Sequence, residues 1–301
     1  MHPTRTRTPP AADTAAAHTH SHTDHTDHYA VLGNPVAHSR SPWIHARFAE
    51  LTAQTLHYDR QLCPLDGFAA TLAALREQGL HGCNVTVPFK FEAFAAATHP
   101  TERARLAQAC NTLMFNGTEI IGDNTDGVGL VADITRNAGV ALRGQRVLLL
   151  GAGGAAAGVL GPLLAEQPRE LVVCNRTAAK ADALVATHLD FAALHQCELK
   201  SLPRQNLVGH FDVVINATAS SLGGSDIPAP DHVLRPGSLA YDMMYGPAAQ
   251  PFLDWAKHHG AQGRDGLGML VEQAAAAFEL WRGVRPPAAQ VLADLQALLA
   301  R

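Results

Sequence analysis

Seven consecutive residues, Asn84-Val85-Thr86-Val87-Pro88-Phe89-Lys90, place an amide, a hydroxyl and an ammonium close together. A strand is expected here, with Val85 and Val87 on one face and Asn84 and Thr86 on the other. Pro88 cannot continue a central strand, so the chain must turn and deliver Lys90 at the start of a short helix over 89–94. Such a cluster suits a small polyol or carboxylate better than a hydrophobic core. A surface lysine after an ordinary strand is the plainer alternative. Further polar groups accompany it in this half of the chain. Ser39 and Ser41 lie in Gly33-Asn-Pro-Val-Ala-His-Ser-Arg-Ser-Pro-Trp-Ile-His45, Asn111 ends a strand approach, and Asp126 sits in a polar loop before a helix. Ser41 reads as a helix N-cap with Pro42 at the first helical position, and Ser39 has no evident structural role. Asn and Asp are common turn formers, so each alone is weak, but together they outline a polar pocket.

A second chemistry-bearing element begins at Gly151-Ala152-Gly153-Gly154-Ala155-Ala156, directly after the apolar run Arg146–Leu150 and before a helix. Strand, glycine turn and helix in that order form a dinucleotide-binding arrangement. Gly151 permits the tight turn, Gly153 lets a pyrophosphate approach the backbone, and the small Ala156 lets helix and strand pack closely. The helix N-terminus then offers unpaired N–H groups and a positive dipole end to phosphates. After the next strand the chain reads Asn175-Arg176-Thr177, with Lys180 a helical turn on, where NAD-binding folds place an acid. A guanidinium can stack on adenine and pair with a 2′-phosphate, so NADP is favoured over NAD. A solvated basic helix start is the alternative.

These groups must be carried by a scaffold of two domains, given 301 residues. A hydrophobic share of 47% and a charged share of 17% are ordinary for a globular enzyme. The net charge of −4 gives no pull toward nucleic acid or anionic membranes. No apolar run approaches the roughly 18 residues of a membrane span. Cys63, Cys83, Cys110, Cys174 and Cys197 contain no Cys-x-x-Cys pair, which fits a reducing cytoplasm and no metal site. Cys83 reads as core; His38 and His45 could reach the pocket, with helix packing the favoured role, and His81 carries no assigned role. Residues 1–28 are rich in Thr, His, Pro and Ala and read as a disordered tail. Its His18, His20, His22, His25 and His28 could chelate a metal.

From Tyr29 onward short apolar strands alternate with amphipathic helices, so an α/β fold with parallel sheets is expected. Strands are expected over 30–33, 146–150, 171–174, 211–215 and 238–243. Helices are expected from Ser41, over 68–78 with a stop at Gly79, and over 128–137, 266–281 and 287–299. Asn111–Phe115 and Thr118–Gly122 read as a hairpin with a type I′ turn at Asn116-Gly117. Pro162 is expected to kink the helix after the glycine turn. The last two helices, with no strand between them, are expected to return to the first region. The domains are therefore set at 29–127 with 266–301, and 128–265, with the substrate in the cleft.

The chain resembles the shikimate dehydrogenases over nearly everything after the tail. The segments carrying the resemblance are 33–45, 84–90, Asn111-Thr112-Leu113, 122–129, 151–156, Asn175–Thr177 with Lys180, Asn216-Ala217-Thr218, 241–246 and 265–273. The resemblance implies an N-terminal α/β substrate domain and a Rossmann-like NADP-binding domain. It also implies an oxidoreductase that reversibly reduces 3-dehydroshikimate to shikimate with NADPH, in aromatic amino-acid biosynthesis. By that similarity Ser39 and Ser41, helped by Tyr245, hold the substrate carboxylate. Asn84, Thr86, Asn111 and Gln273 bind ring hydroxyls. Lys90 and Asp126 flank the reacting C–O group, where a held lysine can supply the proton that an alkoxide needs. Met243 and Met269, with Gly266 and the loop after Asn216 and Thr218, wall the nicotinamide. That loop carries Ala219 where the family usually has Ser. A monomer or homodimer acting on a small molecule is expected. An NAD-using quinate/shikimate dehydrogenase and a non-catalytic ligand sensor on the same fold are the rival readings. The sensor predicts loss of the reacting groups, yet Lys90 and Asp126 are both present.

Overall fold

The computed structural model describes residues 26–218 and 227–300, arranged around two six-stranded sheets. The metal-chelating reading of His18, His20, His22 and His25, and the loop at Ala219, lie outside the described residues. The first sheet is built from β1 (Asp27–Gly33), β2 (Leu56–Leu62), β3 (Leu80–Val85), β4 (His99–Pro100), β5 (Thr112–Asn116) and β6 (Glu119–Asp123). Its order is β2-β1-β3-β5-β6-β4. β1 pairs in parallel with both β2 and β3, whereas β5 runs antiparallel to β3 and β6, so this sheet is mixed. The strand that opens it starts at Asp27, so Asp27 and His28 belong to the fold and not to a tail. The His28 amide donates to His81 Nδ1 (3.3 Å), fixing His28 within the sheet.

The second sheet comprises β7 (Arg146–Leu150), β8 (Glu170–Cys174), β9 (Glu198–Ser201), β10 (Val213–Asn216), β11 (Leu239–Asp242) and β12 (Gln262–Arg264). All five pairings are parallel, in the order β12-β11-β10-β7-β8-β9. The order reverses between β7 and β10. In open parallel sheets ligands bind at that switch point, outside the carboxyl ends of the strands. The strands there are uniformly apolar because both faces are covered: Val147 and Leu149 join one core, Leu148 and Leu150 the other.

Eleven α-helices lie among the described residues, of which five position the site. These are α1 (Ser41–Thr52), α3 (Lys90–Ala96), α5 (Asp126–Ala132, continued by a π-helical turn Asp133–Asn137), α6 (Gly154–Ala165) and α10 (Leu267–Arg282). α10 and the final helix α11 (Ala288–Leu299) return to α1, where Ile44 and Phe48 pack with Val271, Phe278 and Val291. α5 touches both halves, since Leu130 and Ile134 join the second sheet's core while Gly129 lies against α10. A Cβ at Gly129 would stand 2.7 Å from the Gln273 backbone nitrogen, so only glycine allows this approach. Gly127 does the same against α6, where a Cβ would stand 2.6 Å from the Gly158 carbonyl oxygen. That carbonyl is the one Pro162 cannot bond, yet α6 continues past Pro162 to Ala165.

Several local expectations shift. Arg40, not Ser41, is the N-cap of α1, and Ser41 is its first helical residue. Ser39 acquires the capping duty, because its Oγ accepts from the Ser41 N–H at 3.2 Å. The hairpin pairs Asn116 with Glu119, leaving Gly117 and Thr118 as the loop. Among these two only Gly117 has positive φ (55°), which excludes type I′ and matches the glycine-first pattern of type II′. β3 ends at Val85, which is buried, and Val87 is exposed, so Val85 and Val87 do not share a face. Asp126 opens α5 rather than preceding a helix.

Asp133 is the polar pin between α5, β11 and β12. Fully buried, it accepts from Arg264 (2.8 and 2.5 Å), the Tyr241 hydroxyl (2.8 Å) and Asn137 Nδ2 (2.8 Å). Removing one member of a buried pair strands the other charge, a loss of about 3–5 kcal/mol. Asp133→Ala is expected to lose stability on that scale in urea unfolding, whereas the exposed Asp59→Ala loses less than about 1 kcal/mol. Equal losses would remove the pin argument.

Candidate active site

Lys90 enters the site because β3 delivers the chain over Pro88 into α3, whose first residue it is. Its Nζ donates to Asp126 Oδ2, and both side chains are largely buried, with 13% and 8% of their surfaces exposed. Asp126 sits in the first turn of α5, where a carboxylate is favoured by the helix dipole. The Asp126 N–H donates to Asn124 Oδ1 (3.2 Å), and its other carboxylate oxygen accepts from Asn111 Nδ2 (2.8 Å).

Asn111 is the hub of the site. Nδ2 also lies 2.9 Å from Thr125 Oγ1 and 3.2 Å from Gln273 Oε1. Oδ1 accepts from the Thr125 N–H (2.8 Å) and Thr112 Oγ1 (2.9 Å). The network runs on through Thr112 to Asn84, whose Nδ2 donates to Thr112 Oγ1 (3.0 Å) and the Asn111 carbonyl (3.2 Å). Tyr58 closes it by donating its hydroxyl to Asn84 Oδ1 (2.7 Å). Lys90, Asp126, Asn111, Gln273 and Asn84 are thus brought together by hydrogen bonds. Sequence reasoning missed Tyr58, Thr112, Asn124 and Thr125. Thr112, Asn124 and Thr125 are buried polar residues flanking Asn111 and Asp126, and that adjacency was the available signal.

The serines expected at a substrate carboxylate are assembled separately. The hydroxyls of Ser39 and Ser41 meet at 3.2 Å. Arg60 donates from Nε and Nη2 to the Ser39 carbonyl (2.9 and 2.6 Å). Tyr245 is half-buried; burial raises its phenol pKa, and the nearby Arg40 and Arg60 partly offset the rise. Thr86 lies just past β3, its N–H donating to the Leu32 carbonyl (2.9 Å).

The glycine turn has the geometry a pyrophosphate needs. Gly151 adopts φ +114°, and a Cβ there would stand 3.1 Å from the Ala217 carbonyl on the β10 loop. A Cβ on Gly153 would meet nothing within 4 Å, so its face is open to a ligand, and α6 starts at Gly154. The residues present therefore fit a dinucleotide. A Cβ on Gly154 would stand 3.5 Å from Lys90 Cβ, so the turn and the lysine face each other across the cleft. Ala155 lies in the first turn of α6 and Ala156 is buried beneath it. Arg176, Thr177 and Lys180 are exposed at the end of β8, and Asn175 Nδ2 donates to the Thr177 carbonyl (2.9 Å). Asn216 Oδ1 accepts from Thr218 N–H and Oγ1 (3.1 and 2.7 Å), shaping the loop start. Gly266 caps α10, its N–H donating to the Met244 carbonyl (2.8 Å). Met243 is half-buried, whereas Met269 is a member of the second sheet's core.

Cys83 and the histidines stay outside this chemistry. Cys83 is fully buried and burial pushes its thiol far up. His38 is exposed, and His81 faces Asp27 at 3.2 Å. Among the described residues no cluster of His, Cys, Asp and Glu could hold a metal.

Comparison with known proteins bears on all of these segments. Residues 31–113 match the family model for the shikimate dehydrogenase substrate binding domain, 133–223 that for shikimate/quinate 5-dehydrogenase, and 266–296 that for the shikimate 5′-dehydrogenase C-terminal domain. A shikimate dehydrogenase (NADP(+)) of Acidovorax sp. (strain JS42) is 66% identical over 274 residues, covering 91% of this chain and 97% of the relative. The shikimate 5-dehydrogenase of Thermus thermophilus, solved with NADP(H) and shikimate, is 31% identical with a TM-score of 0.76, covering 89% of this chain and 97% of that one. An Ael1 enzyme from Pseudomonas putida is 46% identical with a TM-score of 0.82, covering 90% and 98%.

His45 gives the site's support a pH signature. It is fully buried on α1, stacked on the Tyr58 ring (4.2 Å between centroids, 5° between planes), and neither ring nitrogen has a hydrogen-bond partner. Burial lowers its pKa from 6.5 to about 3. The folded protein therefore binds fewer protons here than the unfolded chain, and stability falls as pH drops through 6.5 toward 3. The loss from this group amounts to about 2 kcal/mol between pH 8 and pH 5. In urea titrations at the two pH values, His45→Phe is expected to show a shallower acid loss than the unaltered protein by that amount. Parallel pH profiles would contradict the assignment.

Proposed function

We propose, from the premise that this chain belongs to the shikimate dehydrogenase family, how its own residues divide the work of that enzyme. The reaction is the reversible NADP-dependent reduction of 3-dehydroshikimate to shikimate, a step of the shikimate pathway. When bound, NADPH supplies the hydride. Residues 151–156 and the α6 N-terminus hold its pyrophosphate, while Arg176 and Lys180 take the 2′-phosphate. β8 ends at Cys174 with no acid following it, which disfavours NAD and the quinate/shikimate reading. Asn175, Thr177, Asn216, Thr218, Met243 and Gly266 line the remainder of that side, and Met269 supports Met243 from the core. Residues 26–127 with 266–300 form the substrate-binding unit and residues 128–265 the cofactor-binding unit. A small-molecule substrate is held in the cleft between them. Soluble action in a reducing cytoplasm is supported by five buried cysteines without disulfides.

Ser39, Ser41 and Tyr245 hold the substrate carboxylate. Asn84, Thr86 and Gln273 take ring hydroxyls. Asn111 has its amide engaged within the protein and serves mainly to aim Asp126. The single observation that carries the mechanism is the largely buried Lys90–Asp126 pair facing the dinucleotide turn. As hydride reaches the carbonyl carbon, its oxygen becomes an alkoxide. Lys90 donates a proton to that oxygen and Asp126 holds Lys90 in place throughout. Oxidation runs the same transfer backward.

Lys90→Ala is expected to lower kcat by about 10³-fold or more, within the range of a lost general acid combined with lost charge stabilisation. Shikimate binding should stay measurable by calorimetry. A variant with near-wild-type turnover sinks the role of Lys90. For the cofactor, Arg176→Ala should raise KM for NADP about tenfold, the worth of one charged hydrogen bond, with little change for NAD. Rates followed at the NADPH absorbance band decide this. Equal or faster turnover with NAD in the unaltered enzyme overturns the NADP-binding role of Arg176.

A further inference from the structure

The edge strand β2 contributes no residue to the roles above, yet two of its side chains reach the substrate side from behind. Tyr58 and Arg60 stand two positions apart and therefore project from the same face of the strand. Tyr58 ends on Asn84 and Arg60 ends on the Ser39 carbonyl. One strand thus touches the group assigned to a ring hydroxyl and the loop assigned to the carboxylate.

The hydrogen-bond inventory of Asn84 shows what the Tyr58 contact does. A side-chain amide has two donors and two acceptor lone pairs. Both donors are used, on the Asn111 carbonyl and Thr112 Oγ1 (3.2 and 3.0 Å). Because a backbone carbonyl only accepts, the amide cannot flip without setting oxygen against oxygen. One lone pair of Oδ1 is taken by the Tyr58 hydroxyl (2.7 Å). A single acceptor site remains for a ligand, so Asn84 meets a substrate hydroxyl as an acceptor and not as a donor. Burial raises the Tyr58 phenol well above its ordinary value, and its ring is clamped by His45, so the donor is always present and always aimed. Arg60 works on the other end. Two of its donors converge on one carbonyl, which fixes the turn that makes the Ser39 and Ser41 hydroxyls meet at 3.2 Å. The same guanidinium adds positive potential beside Tyr245, which suits an anionic group.

We propose that Tyr58 and Arg60 are positioning residues that set the spacing between the carboxylate-binding serines and the hydroxyl-accepting Asn84, and so select a ring that carries both groups at that separation. The proposal rests on the substrate reading given above. It goes beyond that reading by assigning specificity to residues with no substrate contact of their own.

The test compares Tyr58→Phe, Arg60→Gln and Arg60→Lys with the unaltered enzyme, which must first oxidise shikimate with NADP. Failure at that stage counts against the substrate reading itself and not against the two positioning residues. Tyr58→Phe keeps the ring stacked on His45 and removes the hydroxyl, and with it the bond to Asn84 and the contact with Ser41. It is expected to raise KM for shikimate about fivefold to twentyfold, the worth of one hydrogen bond, with KM for NADP unchanged. Among shikimate analogues each lacking one ring hydroxyl, one should show the same KM in Tyr58→Phe as in the unaltered enzyme. Arg60→Gln should raise KM for shikimate more than KM for shikimate methyl ester, and Arg60→Lys should recover part of the loss. A rise shared equally by every analogue, or shared with NADP, would mark a purely structural role and overturn the proposal. So would unchanged KM values in both Tyr58→Phe and Arg60→Gln.

Discussion

An ammonium can be taken out of water only where a counter-charge and hydrogen bonds meet it, and the Lys90–Asp126 pair imposes that requirement on everything around it. Asp126 serves as a partner only if its carboxylate cannot turn away. Asn111 holds one oxygen, Asn124 accepts from its backbone N–H, and the first turn of α5 favours its charge. Asn111 in turn has to be held, and Thr112, Thr125 and Gln273 hold it. Gln273 lies on α10, so the ionic pair of the first half is tied to a helix more than a hundred residues later in sequence. Each polar group is satisfied by the next, which is what lets so many of them be buried together.

That chain of dependence explains where the glycines are. α5 must lie close to α10 for Asn111 to reach Gln273, and Gly129 is the residue that allows it. α5 must also lie close to α6 so that the dinucleotide turn faces Lys90, and Gly127 allows that approach. Asp133, further along the same helix, then fastens it to β11 and β12 through Tyr241 and Arg264. One helix therefore fixes the distance between Lys90, the proposed proton donor, and the turn proposed to hold the phosphates.

The parts legible from sequence were those whose signal is local. The Gly151–Ala156 turn, the apolar β7, and the serine and lysine segments each carry their meaning within a dozen residues. β2, β9 and β12 were not legible, for a physical reason. β2 reads Leu-His-Tyr-Asp-Arg-Gln-Leu, a polar run without clear alternation, because it is an edge strand with Asp59 and Arg60 exposed. Its strand character comes from pairing with β1, a tertiary fact. Ser39 and Ser41 exchanged capping roles for a related reason. Both are good caps, and which one bonds the free N–H depends on how Arg60 draws in the preceding carbonyl. Asn111 read as a ligand for ring hydroxyls, and its full set of internal partners appears only once Thr125 and Gln273 are brought beside it.

The placement of charge across the cleft follows from the same geometry. The N-terminus of α6 presents a positive dipole end to whatever approaches Gly153, and Lys90 stands where a Cβ on Gly154 would touch it. Two positive features so close would compete for the same phosphate if both were free. Asp126 removes that competition by engaging Lys90, which supports the proposed division between the helix terminus as phosphate site and the lysine as proton donor. The carboxylate thus does more than aim the lysine. In the proposed mechanism it separates the work of holding an anion, done by a helix dipole, from the work of delivering a proton, done by an ammonium. A neutral replacement for Asp126 would blur that division even if Lys90 kept its position, because the freed ammonium would then pull on the pyrophosphate as strongly as on the substrate oxygen.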